Sequence, residues 1–230
     1  MNELQPDDAN WVVVIPAKSL AVAKSRLADL AGDRRAELAL AMLLDTVGAA
    51  GAARRVRIVL VVTDDAVVSA AVSALGAAVV ADAPAAGLNA ALRHGISIAV
   101  STHPSCGVAL LAGDLPAVQP AELDDVLRQA DVAGPPSRVL VVADRGGDGT
   151  TLLAARTPTS LRPAFGAGSF ARHRELGAVP SEFAPLSGIR CDVDDAAGLR
   201  IAMELGVGSA TRMALHNLGL GPQKNPGPAP

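Results

Sequence analysis

The sequence predicts an α/β fold: a three-layer sandwich, doubly wound around a mostly parallel central sheet. Two observations predict it. Five short apolar runs, Trp11–Ile15, Ile58–Val62, Ala78–Ala81, Val108–Leu111 and Val139–Val142, are continuous rather than alternating. That is the pattern of strands covered on both faces. Between them lie stretches of helical periodicity, and alternation of strand with helix builds parallel sheets. The spacing predicts helices over Asp33–Ala50 (with Leu38, Met42 and Val47), Asp65–Leu75, Asn89–Val100 and Pro120–Gln129, the last with Leu123, Val126 and Leu127 on one side. A further helical pattern follows Ser169, and Ala196–Leu205 forms another.

Composition narrows the class. The chain has 230 residues, half of them hydrophobic, enough for a single well-filled core. Residues 11–218 are expected to form one domain, with a disordered lead over 1–10 and a disordered Pro/Gly-rich tail over 219–230. A net charge of −3 gives no bulk signal for nucleic acid or a membrane surface. Aromatic residues make up only 2%, which argues against a base-stacking platform. No apolar run reaches the roughly 18 residues that span a bilayer. The N-terminus MNELQPDDAN is acidic and polar, unlike a secretory signal. Two cysteines far apart, Cys106 and Cys191, exclude a disulfide scaffold and fit a reducing, cytoplasmic setting.

In open parallel sheets, ligands bind beyond the carboxyl ends of the strands, so the residues after each apolar run carry the information. After the first run come Lys18, Lys24 and Arg26, a basic loop able to hold a polyphosphate, though neither a Walker A nor a GxGxxG sequence. After the second come Thr63, Asp64 and Asp65, which read first as a helix cap, with one carboxylate left to face a ligand. Gly87 and Asn89 follow the third; the Asn amide either caps a helix or reads a base edge. Asp114 follows the fourth, either a turn residue or a Mg²⁺ ligand. The glycine-rich stretch Asp144–Thr151 follows the fifth and offers close backbone approach plus the Thr150 and Thr151 hydroxyls. The turn Gly166-Ala-Gly168-Ser169 ahead of a helix suggests anion binding by helix-start N–H groups and a hydroxyl, with His173 one turn on as either a site or a structural residue. Finally, alternation puts Asp192 and Asp194 on one side of an extended segment, as a Mg²⁺ pair or as part of the N-cap cluster that Asp195 completes. Together these form a kit for Mg²⁺-dependent nucleotidyl transfer.

The segments IPAKSLAVAKSRLA (15–28), GLNAAL (87–92), LLAGDLPA (110–117), VVADRGGDGT (141–150), FGAGSFARH (165–173) and IRCDVDDAAGL (189–199) resemble the CofC/FbiD guanylyltransferases of coenzyme F-420 biosynthesis. The resemblance extends over nearly the whole expected domain, and the order AKSRL, GDLPA, FGxxSxxxH, CDVD is specific. It implies a Rossmann-like nucleotidyltransferase fold of the nucleotide-diphospho-sugar transferase type. It also implies joining GTP to a phosphorylated three-carbon acid with release of pyrophosphate. The acid is phosphoenolpyruvate in the mycobacterial branch, which this chain looks closer to, and 2-phospho-L-lactate in the archaeal one. The resemblance implies acid contacts from Thr150, Gly166 and Ser169 and metal contacts from Asp114, Asp192 and Asp194. Lys24, Arg26, Asp114 and Asp192 become the expected catalytic residues. Lys18, Lys24, Gly87 and Asn89 become the expected nucleotide contacts, with Mg²⁺ as cofactor. Asp148, acidic beside an anion site, is a departure. A sugar-nucleotide or molybdopterin enzyme of the same fold would show GxGxR after the first strand, where PAKSLAVAKSRL stands instead. A non-catalytic GTP-binding or partner-binding module would have lost carboxylates that remain here. The tails are candidates for contacting the next enzyme of the pathway.

Overall fold

The computed structural model describes residues 9–17, 32–83, 85–132 and 134–220. A seven-stranded sheet of order β3-β2-β1-β4-β6-β5-β7 forms the centre. The strands are β1 (Trp11–Pro16), β2 (Val56–Val62), β3 (Ala78–Val80), β4 (Gly107–Leu111), β5 (Val139–Ala143), β6 (Thr150–Ala155) and β7 (Val179–Pro180). β1 runs parallel to β2 and β4, β2 to β3, and β5 to β7, while β6 is antiparallel between β4 and β5. The helices are α1 (Arg35–Ala52), α2 (Ala66–Ser73), α3 (Leu88–Thr102), α4 (Pro120–Val132), α5 (Ser169–Glu175), α6 (Ala196–Leu205) and α7 (Ser209–Asn217).

The sheet is central because its middle strands have no polar face. All of Trp11–Ile15 is buried, and successive residues feed opposite layers. Trp11, Val13 and Ile15 pack with Leu43 and Val47 of α1, Val68 and Val72 of α2, and Leu123 and Leu127 of α4. Val12 and Val14 pack with Ala91, Leu92 and Ala99 of α3. α3 lies close against β1 because it presents Gly95 there: a Cβ at that position would collide with the Val14 side chain. A third cluster joins Leu38 and Met42 of α1 to Leu199 of α6 and Leu215 of α7.

The five predicted strands and the predicted helices are all present. β6, β7 and α7 are additions. Every residue of β6 is buried, so it carries the same signature as the other central strands. It begins directly after the glycine-rich loop, which masks its start in the sequence. α7 is short, and its buried face consists only of Thr211, Ala214 and Leu215. Gly219 and Leu220, placed by the sequence at the head of the tail, close this helix. The Leu220 N–H donates to Leu215 C=O and the Gly219 N–H to His216 C=O, with Gly219 at φ +70°. No helix among the described residues is long and apolar enough to cross a membrane.

Candidate active site

The parallel strands β1, β2 and β4 end on one edge of the sheet. Antiparallel β6 starts there, since the Ala112 N–H beyond β4 donates to Thr151 C=O at 2.8 Å. Residues from the end of β4 and the beginning of β6 are thereby brought to the same edge. Lys18, Lys24 and Arg26, predicted for this edge, lie outside the described residues.

On the carboxylate side, half-buried Asp114 follows β4. Its turn is fixed from α1: the buried Thr46 hydroxyl accepts the Leu115 N–H at 3.0 Å and donates to Met42 C=O at 2.9 Å. The Val193 N–H donates to Asp114 C=O at 3.1 Å, so the segment bearing Asp192 and Asp194 runs beside Asp114. The expected alternation is present: Cys191 and Val193 are buried, Asp192 is half-buried and Asp194 exposed. Asp195 caps α6 by accepting the Gly198 N–H at 2.8 Å. Among the described residues, no three His, Cys, Asp or Glu side chains converge as a metal cage. The hard oxygen donors present still suit Mg²⁺, which is commonly held by one or two protein carboxylates together with waters and substrate phosphates.

The other side of the edge is a cradle of hydroxyls and loop backbone. The β5–β6 register slips where Val142 pairs with Leu152 but Ala143 with Thr150, leaving Thr151 as an extra residue. Strict alternation from Leu152 and Ala154 would aim Thr150 at the layer of α1 and α4. The bulge turns it to the opposite layer, where its hydroxyl and His173 Nδ1 share a 2.9 Å hydrogen bond. The Ala164 N–H donates to His173 Nε2 at 2.9 Å, and Phe165 meets the imidazole edge-on at 5.1 Å. Burial, with the neighbouring Arg172 adding to it, pushes the His173 pKa down to about 4. Ser169, one turn before His173, is fully buried and its Oγ has no hydrogen-bond partner among the described residues; Thr151 Oγ1 shares that condition.

The loop carrying Gly166 is held by side chains. Asn89 does not cap α3; the cap position is Gly87, at φ +90°. Instead the Asn89 amide accepts the Phe165 N–H at 2.8 Å and donates to Phe165 C=O at 3.1 Å. Reading a base edge would have to use the second N–H and second lone pair of that amide. Arg172 donates to Ala164 C=O at 2.9 Å and to Ala167 C=O at 2.6 Å. Gly166 sits exposed at φ +122°, a conformation that L side chains rarely adopt.

The helix-start reading at Gly168-Ser169 needs correction. The Gly168 N–H donates to the Asp148 carboxylate at 2.8 Å, the Phe170 N–H to Asp148 C=O at 3.0 Å, and the Ser169 N–H to Gly166 C=O at 3.0 Å. These donors are taken internally, leaving the hydroxyls and the Gly166 region as the anion-facing groups. The same bonds explain Asp148, which ties the glycine-rich loop to the start of α5. The loop is closed by Asp144, which accepts from the N–H groups of Asp148 and Gly149. Arg190 grips Asp144 C=O from outside at 2.8 Å. Of the pair after β2, Asp65 caps α2 and Asp64 accepts the Asp82 N–H, so both have local structural work. The sequence missed Thr46, Arg172 and Arg190 because each acts on backbone groups remote from or folded back onto it, which no spacing signals.

An open sheet with one antiparallel strand in its midst, and carboxylates and hydroxyls gathered at its carboxyl edge, is the architecture of a nucleotidyltransferase. Two solved structures share the fold. One is a 4-diphosphocytidyl-2C-methyl-D-erythritol synthase (TM-score 0.59, 12% identity, 86% of this chain and 99% of that one). The other is a nucleotidyl transferase from Methanothermobacter (TM-score 0.58, 20% identity, 85% and 97%). Residues 11–228 match the model of the CofC-like guanylyl transferases, and the chain belongs to that family of enzymes. It is 51% identical over 215 residues to a phosphoenolpyruvate guanylyltransferase of Streptomyces avermitilis (93% of this chain, 98% of the relative). It is 47% identical over 204 residues to one of Thermomonospora curvata (89% and 88%).

Proposed function

We propose that this enzyme transfers the guanylyl group of GTP to phosphoenolpyruvate, giving enolpyruvoyl-2-diphospho-5'-guanosine and pyrophosphate, as a cytoplasmic step of coenzyme F-420 biosynthesis. The observation that carries the reading is identity of about half the residues, over almost the full length of both chains, with a relative named for that reaction. A buried Ser169 hydroxyl without a hydrogen-bond partner among the described residues, one turn before the His173 that bonds Thr150, supports an anionic acceptor on this side of the edge.

The acceptor phosphate is already an anion and needs no strong general base. Its oxygen attacks the α-phosphorus of GTP in line while the bond to pyrophosphate breaks, so catalysis is mainly positioning and charge neutralisation. Thr150, Ser169 and the Gly166 N–H would grip the acid. Lys24 and Arg26, with Lys18 nearby, would stabilise the departing pyrophosphate, and Gly87 with the remaining valences of Asn89 would lie toward the nucleotide. Asp114 and Asp192, with Asp194 beside them, would hold Mg²⁺, which supplies charge neutralisation at the phosphates when bound.

The test is pyrophosphate release from GTP and Mg²⁺ with phosphoenolpyruvate or 2-phospho-L-lactate. Release with phosphoenolpyruvate alone is expected. Release with phospholactate alone would move the acceptor to the archaeal type. Silence with both, from folded protein that binds GTP, would overturn the reading.

A further inference from the structure

Resting on the acceptor reading above, we propose that His173 is a positioning residue: a neutral imidazole protonated at Nδ1, which aims the Thr150 hydroxyl proton at the acceptor's anionic group and fixes the loop that presents Gly166. The hydrogen-bond pattern assigns the tautomer. The Ala164 N–H points at Nε2 at 2.9 Å, and an N–H donor can face only a lone pair, so Nε2 carries no proton. The neutral ring then holds its proton on Nδ1 and donates it to Thr150 Oγ1 at 2.9 Å. With that lone pair occupied, the Thr150 O–H must donate elsewhere. The edge-on Phe165 ring and complete burial hold the imidazole plane. A pKa held down to about 4 by burial and by Arg172 keeps the ring neutral near pH 7.

One ring thereby couples three elements. It sits on α5, one turn after Ser169, whose buried Oγ also lacks a partner among the described residues. It reaches Thr150 at the bulged start of β6, and it anchors Ala164, two residues before Gly166. The ring bonds Thr150 directly and reaches Gly166 through Ala164, and Ser169 lies one turn before it on the same helix. An imidazolium would lose the bond from Ala164 while still donating to Thr150, and the opposite tautomer would both lose that bond and release Thr150 to point its proton at the ring.

Two conservative variants separate positioning from packing. In His173→Gln the amide oxygen can accept the Ala164 N–H, but no donor remains for Thr150. The expected result is a KM for phosphoenolpyruvate raised about tenfold, with the KM for GTP changed less than about twofold. In His173→Asn the amide N–H can replace Nδ1–H, and a rise of only about threefold is expected. Adding His173→Gln to Thr150→Val should cause little further loss, because the two act through one hydroxyl. A folded His173→Gln enzyme with unchanged acid KM, an equal rise in both KM values, or independent multiplication of the two single effects would overturn the proposal. Imidazole ¹⁵N spectra of the unmodified protein at pH 7 test it without any variant: the Nδ1–H tautomer is expected, and an Nε2–H ring or an imidazolium would overturn it. If the unmodified enzyme releases no pyrophosphate with either acid, the functional reading fails while the spectra still decide the tautomer.

Discussion

At the amino-terminal edge of the sheet, Asp131 is enclosed by partners. Its Oδ2 accepts from Arg55 at 2.6 Å and from the Trp11 indole N–H at 3.5 Å, its Oδ1 lies 3.4 Å from Arg156 Nε, and Arg156 stacks on Trp11 at 5.5 Å. At the opposite edge of the same sheet, two buried hydroxyls, on Ser169 and Thr151, have no partner among the described residues. Both edges gather polar groups from several elements, but at the first the charged side chains are paired with one another, and the orphaned group there is an amide oxygen, Asn10 Oδ1, rather than a hydroxyl. A folded protein rarely leaves a buried hydroxyl unpaired without reason. The amino edge holds strands and helices together through ion pairs, and the carboxyl edge carries the buried hydroxyls on which the proposed acceptor site draws. Its backbone is restrained all the same: Thr46, Asn89, Asp148, Arg172 and His173 each bond loop amides or carbonyls there.

Removing a carboxylate at the carboxyl edge should break activity without breaking the fold. Asp114→Asn and Asp192→Asn are each expected to lose about 100-fold or more in kcat with the thermal transition nearly unchanged. Steady-state pyrophosphate release beside a thermal melt reads this, and near-normal turnover by either variant would remove that residue from the mechanism. The pH dependence of stability should carry the His173 signature. Its folded pKa of about 4 lies below the ordinary 6.5. Between those values the unfolded chain binds the extra proton, so stability is full above about pH 6.5 and falls as pH drops toward 4, by on the order of 3 kcal/mol. Urea midpoints across that range should fall less steeply in His173→Phe than in the unmodified chain.

The reverse pattern is expected at the amino edge. Asp131→Ala leaves Arg55 and Arg156 without their shared acceptor and should cost about 2 kcal/mol of stability, with kcat and both KM values retained. Denaturant melts and kinetics on the same sample would check it, and a loss of activity without a loss of stability would erase the contrast between the edges. The smallest effect sharpens the assignment of Asn89. If its main work is the bond pair to Phe165, Asn89→Ala should raise the KM for the acid about tenfold and spare GTP. A rise confined to the GTP KM would instead show that the amide reads the base.

The local pattern was enough for most of the fold. Continuous runs such as Trp11–Ile15 exclude a half-solvated strand, and apolar spacing in Pro120–Gln129 allows little but a helix, so alternation and a parallel sheet followed from composition and period alone. The same logic placed Asp114 at a strand end, kept Asp192 and Asp194 on one side and made Asp195 a cap, because each depends on residues close in sequence. Tertiary structure decided what depends on distant pairing. It ran β6 antiparallel, which carries Thr150 to the edge where β4 ends. It inserted a bulge that turns Thr150 across the sheet to His173. It directed the Asn89 amide to Phe165 rather than to its own helix, and spent the helix-start amides of α5 on Asp148 and Gly166. A side chain's partner among backbone groups far away in sequence is fixed by which surfaces pack, and no periodicity within one segment encodes that.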